Sequence, residues 1–267
     1  MYAEERRIKI YDLLKQTKRV DVADLSDRFA ASLETIRRAL REMESDGLLR
    51  RTHGGAIIMD KPKTENDMPV VFRKTLNSDL KDEIARLAVT HIHDGDIVAL
   101  DNSTTALCLL KFIPREYKIT LVTNSIQSIL EAMSMTECEW SCICLGGMVN
   151  PRSYSTVGFI ASNCLGFFRP NILFMSCAGL DERGRLTEGS ISGVEIKREL
   201  IRCSQKKVLL LDATKWGLVS GVAEADIEEM DLLITNEAYE KDKLEYLRGK
   251  RIEIRFAGDG EKDRLYA

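Results

Sequence analysis

Two groups of residues in this chain have the types and spacing to do chemistry on anions. The first is Arg37-Arg38 with Arg41, followed by Arg50-Arg51-Thr-His53-Gly54-Gly55. Arginine forks grip phosphate oxygens, and a guanidinium can read the O6 and N7 edge of guanine with two hydrogen bonds. The second is Asp101-Asn102-Ser103-Thr104-Thr105. Hydroxyls at the start of a helix, together with that helix's free backbone N–H groups, suit a phosphate or another small anion. Further polar groups stand after other apolar runs: Thr123-Asn124, Gly146-Gly147 with Arg152 close behind, and Asp212-Ala-Thr-Lys215; Lys197 lies on a helical stretch. Arg152, Lys197 and Lys215 could complete a phosphate pocket.

The seven cysteines include no CxxC pair. Cys138, Cys142 and Cys144 cluster, but Trp140–Leu145 reads as a strand with Cys142 and Cys144 on one face, and no fourth ligand of the right type lies near. Buried reduced thiols are therefore expected, with no metal and no cofactor. Of His53, His91 and His93, the last two read as surface or capping residues.

These residues sit in an ordinary globular composition. The chain has 267 residues, 44% hydrophobic and 30% charged, with a net charge of -3. Collagen-like, disordered and disulfide-scaffold classes are excluded. No apolar run is long enough to span a bilayer, and the charged start lacks the apolar core of a secretory signal, so a cytoplasmic protein without a membrane partner is expected. Residues 59–69, with two prolines, mixed charge and little apolar content, read as a linker. The expected boundaries are a small head at 1–58, a linker at 59–75 and a body at 76–267. Charge divides unevenly across them: residues 1–58 carry 12 basic and 10 acidic side chains, net +2, and the remainder 27 and 32, net -5.

In the head, Ile10, Leu13 and Leu14 mark a first helix over 4–17. Asp21 can cap a second, with Val22, Leu25 and Phe29 inward. Ser32 can cap a third over 33–45, whose apolar positions Ile36, Ala39, Leu40 and Met43 are spaced i, i+3, i+4, i+7. Its other face carries Thr35, Arg37, Arg38 and Arg41. Two short extended runs about Gly54-Gly55 follow, the glycines allowing positive φ and close approach. Three helices and a basic hairpin make a winged helix-turn-helix, in which the third helix enters the major groove and the hairpin lies beside the backbone. A merely solvated basic face is the bland alternative. It leaves unexplained why the arginines gather on the two elements that touch DNA in such folds.

In the body, apolar strands at Ile97–Leu100, Ile119–Thr123, Ser141–Leu145, Ile172–Cys177, Val208–Leu211, Leu232–Thr235 and Ile252–Phe256 alternate mostly with helical patterns. That alternation predicts a mainly parallel, open α/β sheet covered on both faces. Ligands of such sheets bind outside the carboxyl ends of the strands, where the polar groups named above fall. Simple N-capping by Ser103 is expected with or without a ligand.

Three stretches of the head, Val20-Asp-Val-Ala-Asp-Leu-Ser-Asp-Arg-Phe29, Ser32-Leu-Glu-Thr-Ile-Arg-Arg-Ala-Leu40 and Gly47-Leu-Leu-Arg-Arg-Thr-His-Gly-Gly-Ala56, resemble the N-terminal domain of the DeoR family of bacterial transcriptional regulators. The body is similar to that family's sensor domain through Asp101-x-Ser-Thr-Thr105, Thr123-Asn124, Leu145-Gly-Gly147, Gly158, Gly179-Leu-Asp-x-x-Gly184, Leu186-Thr187, Glu195-x-Lys-Arg198 and Asp212-x-x-Lys-Trp-Gly217. The resemblance implies a C-terminal sheet of the ribose-5-phosphate isomerase/CoA-transferase type and a regulator, most often a repressor of a carbohydrate-catabolism operon. Its partners would be double-stranded operator DNA, a phosphorylated sugar effector and further copies of itself. Carried over, Ser103, Thr104 and Thr105 would hold the phosphate, and Asp101, Asn124, Gly147, Arg152, Lys197 and Lys215 would line the rest. Three departures stand out: Ala39 where members carry Asp, Asn102 where many carry Gly, and Asn236 where many carry Asp. An activator of the same architecture is one alternative. A sugar-phosphate isomerase using Glu195, Asp101 or Asp181 as base is another, but an attached DNA-binding head is hard to explain for it.

Overall fold

The computed structural model describes residues 2–59, 68–236, 247 and 249–258. The chain separates into two units, Met1–Thr75 and Leu76–Ala267.

The first unit begins with α1 (Ala3–Thr17), β1 (Arg19–Asp21), α2 (Val22–Phe29) and α3 (Leu33–Ser45). The caps form as their residue types dictate. Asp21 accepts from the Ala23 amide and Ser32 from the Thr35 amide, each satisfying a donor the helix start would otherwise orphan. Ile36, Ala39, Leu40 and Met43 are all buried, so the i, i+3, i+4, i+7 stripe is the packed face of α3, and Ala39 is a packing position. Gly47, at φ +73°, turns the chain out of the helix into the wing, β2 (Leu49–Arg51) and β3 (Gly55–Ile58).

The wing is a three-stranded sheet, because β1 pairs with β3, a strand the hydrophobic pattern is too short to reveal. That pairing accounts for Gly55. A Cβ there would lie 2.0 Å from the Val20 carbonyl oxygen, so close approach requires the glycine; positive φ, expected of both wing glycines, occurs at neither. Part of the stretch read as linker is folded: Val70–Arg73 forms α4, Met68, Val70 and Phe72 are buried, and the Phe72 ring meets Tyr11 edge-on at 5.5 Å. Residues 60–67 lie outside the described residues.

In the second unit, α5 (Ser78–Ala88), β4 (Ile97–Leu100), α6 (Thr104–Cys108), β5 (Thr120–Thr123), α7 (Ile126–Ser134) and β6 (Ser141–Cys144) lead to a hairpin, β7 (Met148–Asn150) and β8 (Ser155–Val157). Then come α8 (Phe159–Leu165), β9 (Ile172–Met175), β10 (Gly179–Leu180), β11 (Arg185–Glu188), α9 (Ile191–Cys203), β12 (Lys206–Leu211), β13 (Val222–Asp226), β14 (Leu232–Asn236) and β15 (Glu253–Ala257). Seven strands form one parallel sheet in the order β15-β14-β12-β9-β4-β5-β6. They are the seven apolar runs of the sequence.

Alternation divides the core. Ala99, Leu173, Leu209 and Leu233 pack with Ala161 and Leu165 of α8 and Ile196 and Leu200 of α9. Val98, Leu100, Phe174, Val208 and Leu210 pack with Ile84 and Ala88 of α5 and Ala106 of α6. A strand buried on both faces reads as an unbroken apolar run, as these do. Two small antiparallel additions, β7-β8 and β10-β11-β13, stand outside the main sheet. The sheet order reverses beside β4, placing the β4–α6 turn at the switch point where open α/β sheets take ligands.

Candidate functional site

In the head, α3 and the wing present Arg37, Arg38, Arg41, Arg50, Arg51 and His53 to solvent, with Thr35 half-buried and Ser32 and Gly54 exposed. The five arginines are not equivalent. Arg51 is clamped: its backbone amide and its Nε donate to the two carboxylate oxygens of Glu44, both at 2.8 Å. Those bonds, the backbone one first, hold the Glu44 carboxyl below the usual carboxylate range. Arg41 donates to Glu34 at 2.6 Å along its own helix. Among the described residues, Arg37, Arg38 and Arg50 form no ion pair and keep their forks free. Glu44 thus ties the wing to the third helix, and a cleft of about 290 Å³ between them is lined by Asp21, Arg37, Arg51, His53 and Gly54 among others.

In the body, the ends of β4, β9 and β12 converge on a buried polar cluster. Asp101, fully buried after β4, accepts from the Ser103 amide at 3.0 Å and the Ser103 hydroxyl at 2.5 Å through one oxygen, and from the Ser176 amide at 3.1 Å through the other. Ser103 in turn caps α6 by accepting from the Ala106 amide. Lys197, from α9, lies 3.5 Å from Asp101; it donates to Glu188 at 2.5 Å, to the Ser176 carbonyl at 2.6 Å and to Glu224 at 3.4 Å. Burial penalises its ammonium, but Glu188, Glu224 and Asp101 outweigh that and hold its pKa well above the ordinary lysine value. Burial pushes Glu224 up to about 8, with Glu188 and Asp101 adding to the rise and Lys197 opposing it. Lys215 donates to the Ser176 hydroxyl at 3.0 Å and stands 3.7 Å from Asp212.

A second set of groups lies around the β4–α6 turn. Asn102 donates to Ser155 Oγ at 3.3 Å, and Ser155 shares a hydrogen bond with Ser153. Asn124 exchanges bonds with Thr156, whose hydroxyl donates to the Leu145 carbonyl just before Gly146-Gly147. Gly147 is at φ +129°, and a Cβ on it would meet the Val157 carbonyl at 2.7 Å. Thr104 and Thr105 are buried; neither Thr105 Oγ1 nor Asn124 Oδ1 has a hydrogen-bond partner among the described residues. Thr123 turns its hydroxyl to the Ser125 amide, and Arg152 is exposed on the β7–β8 turn.

The structure therefore joins Asp101, Ser103 and Lys197 directly and Lys215 through Ser176. It links Asn102 and Asn124 separately to β8. Sequence reasoning missed Ser176, Glu188 and Glu224. A glutamate at the centre of Val-Ala-Glu224-Ala-Asp, where a strand alternates, was the available signal. Lys81 was missed too: fully buried on α5, its ammonium donates to the Leu76 carbonyl at 2.7 Å. Asn236 bridges two elements: its amide donates to the Leu80 carbonyl and to Glu83 on α5, and its Oδ1 accepts from the Ala213 amide at 3.4 Å, beside Asp212.

The three candidate bases of the isomerase reading are engaged by the protein itself. Both Asp101 oxygens are engaged, Asp181 accepts from the Arg183 and Arg185 amides in the β10–β11 turn, and Glu195, exposed on α9, accepts from the Ser162 hydroxyl at 3.3 Å. The expectation of buried cysteines fails at Cys142 and Cys144, which lie exposed because β6 is the outermost strand of its sheet. Among the described residues no group of three His, Cys, Asp or Glu side chains is placed to hold a metal ion, and no helix is long and apolar enough to cross a membrane.

A winged helix-turn-helix with a free arginine face, joined to a parallel α/β sheet with polar strand ends, defines a DNA-binding regulator that carries its own sensor domain. Residues 6–62 match the DeoR-like helix-turn-helix domain and residues 76–237 the DeoR C terminal sensor domain. The chain belongs to the DeoR family of transcriptional regulators and is not an enzyme. It is 32% identical over 242 residues to the HTH-type transcriptional regulator GolR of Listeria innocua, covering 90% of this chain and 93% of that one. It is 31% identical over 244 residues to the HTH-type transcriptional repressor GlcR of Bacillus subtilis, covering 88% and 89%. Part of the chain aligns with ribose 5-phosphate isomerase A of Methanocaldococcus jannaschii, at 19% identity, 52% and 55% coverage and a TM-score of 0.39.

Proposed function

We propose that this regulator is a cytoplasmic repressor of a carbohydrate-catabolism operon, released from operator DNA by a phosphorylated sugar bound at the strand ends of the body. The observation that carries the reading is the pairing, in one chain, of three unneutralised arginines on α3 and the wing with a sheet switch point rich in hydroxyls and amides. Arg37, Arg38 and Arg50 supply base and phosphate contacts; Ser32, Thr35, Arg41, His53 and Gly54 flank them, while Arg51 and Gly55 shape the wing. In the body, Asn102, Ser103, Thr104, Thr105, Asn124, Gly146, Gly147, Arg152 and Lys215 face the ligand. Asp101, Lys197 and Thr123 hold the turns that present them. Thr105 Oγ1 and Asn124 Oδ1, buried without partners, supply hydrogen bonds that a sugar phosphate would complete.

Release requires the sugar phosphate to bind the DNA-free arrangement more tightly. The coupling, about 1–3 kcal/mol, is reciprocal, so operator DNA weakens sugar-phosphate binding by the same factor. The test selects a duplex for the purified protein from a random-sequence pool, then titrates phosphorylated sugars into the complex. Release by one phosphorylated sugar, and not by its unphosphorylated parent, is expected. Release by none, or tightening by one, refutes the repressor reading.

A further inference from the structure

The main sheet ends in a strand with nothing against it. β6 pairs with β5 alone among the described residues. The amides of Ser141 and Leu145 donate to Ile119 and Thr123 on the β5 side, so alternation turns the backbone groups of Cys142 and Cys144 outward. Proteins blunt exposed edges with charge or proline; Trp140-Ser-Cys-Ile-Cys-Leu145 has neither. The opposite outer strand, β15, carries Glu253 and Arg255.

The elements beside this edge are apolar and exposed. Met148 and Val149 of β7 and Phe159 and Ile160 of α8 are between 55 and 76% exposed, and Leu130 and Met133 on α7, which packs on β6, are 58 and 68% exposed. Ile160 lies against Gly146, where β6 runs into β7. These six side chains flank the edge from both faces of the sheet, α7 packing in one core layer and α8 in the other, and together leave on the order of 600 Å² of apolar surface in water, against about 800 Å² per partner in a standard interface.

We infer that this edge is the interface between two copies of the chain. The β6 strands pair antiparallel about a twofold axis near Ile143, with β7 and α8 packing alongside. A twofold uses the same edge from both copies, satisfies the outward backbone groups of each, and closes so that no edge remains. Trp140–Leu145 itself carries no charge, so pairing two copies of it sets no like charges opposite each other. Antiparallel pairing about Ile143 sets Cys142 of one copy opposite Cys144 of the other.

This interface rests on the proposed function and deepens it: two copies joined at this edge present two recognition helices to one operator. The test is sedimentation velocity of the full-length protein with Val149→Lys and Phe159→Glu, both at exposed positions. Wild type is expected at twice the chain mass of 30.2 kDa, and both variants at one. A short bis-maleimide should join wild-type copies through Cys142 and Cys144, a product lost in the Cys142→Ser/Cys144→Ser protein. A monomeric wild type, or variants that keep the wild-type mass, overturns the interface, as does a wild type that dimerises without these cross-links. A monomeric variant that still binds the full operator with wild-type affinity supports the interface and removes only the paired-helix reading.

Discussion

Replacing Lys197 with methionine keeps the apolar stem and deletes the ammonium at the centre of the strand-end cluster. Asp101, Glu188 and Glu224 then lose the ammonium they share, two of them fully buried and the third nearly so. Breaking a buried pair by removing one partner costs about 3–5 kcal/mol, because the remaining charge is desolvated and uncompensated. That loss is expected in the body's unfolding free energy near neutral pH.

The pH dependence has a definite sign. Burial already raises Glu224 to about 8 with Lys197 present, and deleting Lys197 removes the one influence that lowers it. A carboxyl whose folded pKa lies above its unfolded value binds a proton preferentially in the native state, so stability rises as pH falls through the folded pKa. Wild-type Glu224 shares that dependence below about 8, so the defect in Lys197→Met should hold steady near neutral pH and grow as pH rises above about 8. Adding Glu224→Gln should recover part of it and flatten the profile.

Urea unfolding followed by tryptophan fluorescence measures this cleanly, since both tryptophans, Trp140 and Trp216, belong to the body and the head is silent. A loss below about 1 kcal/mol, or one independent of pH, would show that Lys197 is not buried among carboxylates, and the structural role assigned to it would fall.

Three other outcomes bear on the two sites. Arg37→Ala, Arg38→Ala and Arg50→Ala should each weaken operator binding by about 1–3 kcal/mol or lower the salt-dependence slope by about one; Arg51→Ala should cost less, and fluorescence anisotropy across a salt series ranks them. Thr105→Val removes a buried hydroxyl that has no partner among the described residues, so the apo melting temperature should hold or rise while the shift induced by a phosphorylated sugar falls. An undiminished shift would take Thr105 out of the ligand site. Asn236→Ala strips donors from the Leu80 carbonyl and from Glu83 and the acceptor of the Ala213 amide, and should destabilise the body by about 1–3 kcal/mol in urea unfolding.

What the residues reveal in advance, and what they hide, follows from how local each signal is. The five inner strands were legible because a strand buried on both faces must be apolar throughout, the outer two, β6 and β15, because apolar residues recur along them, and the packed stripe of α3 because Ile36, Ala39, Leu40 and Met43 repeat with the helix. Strand β1 was not legible: Arg19-Val-Asp21 is held by Gly55 approaching the Val20 carbonyl, a contact across the fold that leaves no periodicity. The site shows the same division more sharply. Residue type placed Lys197 and Arg51 among groups able to bind an anion, but type says nothing about whether a charge is already satisfied. Arg51 is paired with Glu44, seven residues earlier, and Lys197 with Glu188 and Glu224, nine and 27 residues away, so neither presents a free cation. Function then falls to the charges left over. Neutralised ones stiffen the wing and the strand ends; Arg37, Arg38 and Arg50, in no ion pair among the described residues, are the ones that phosphate can stabilise.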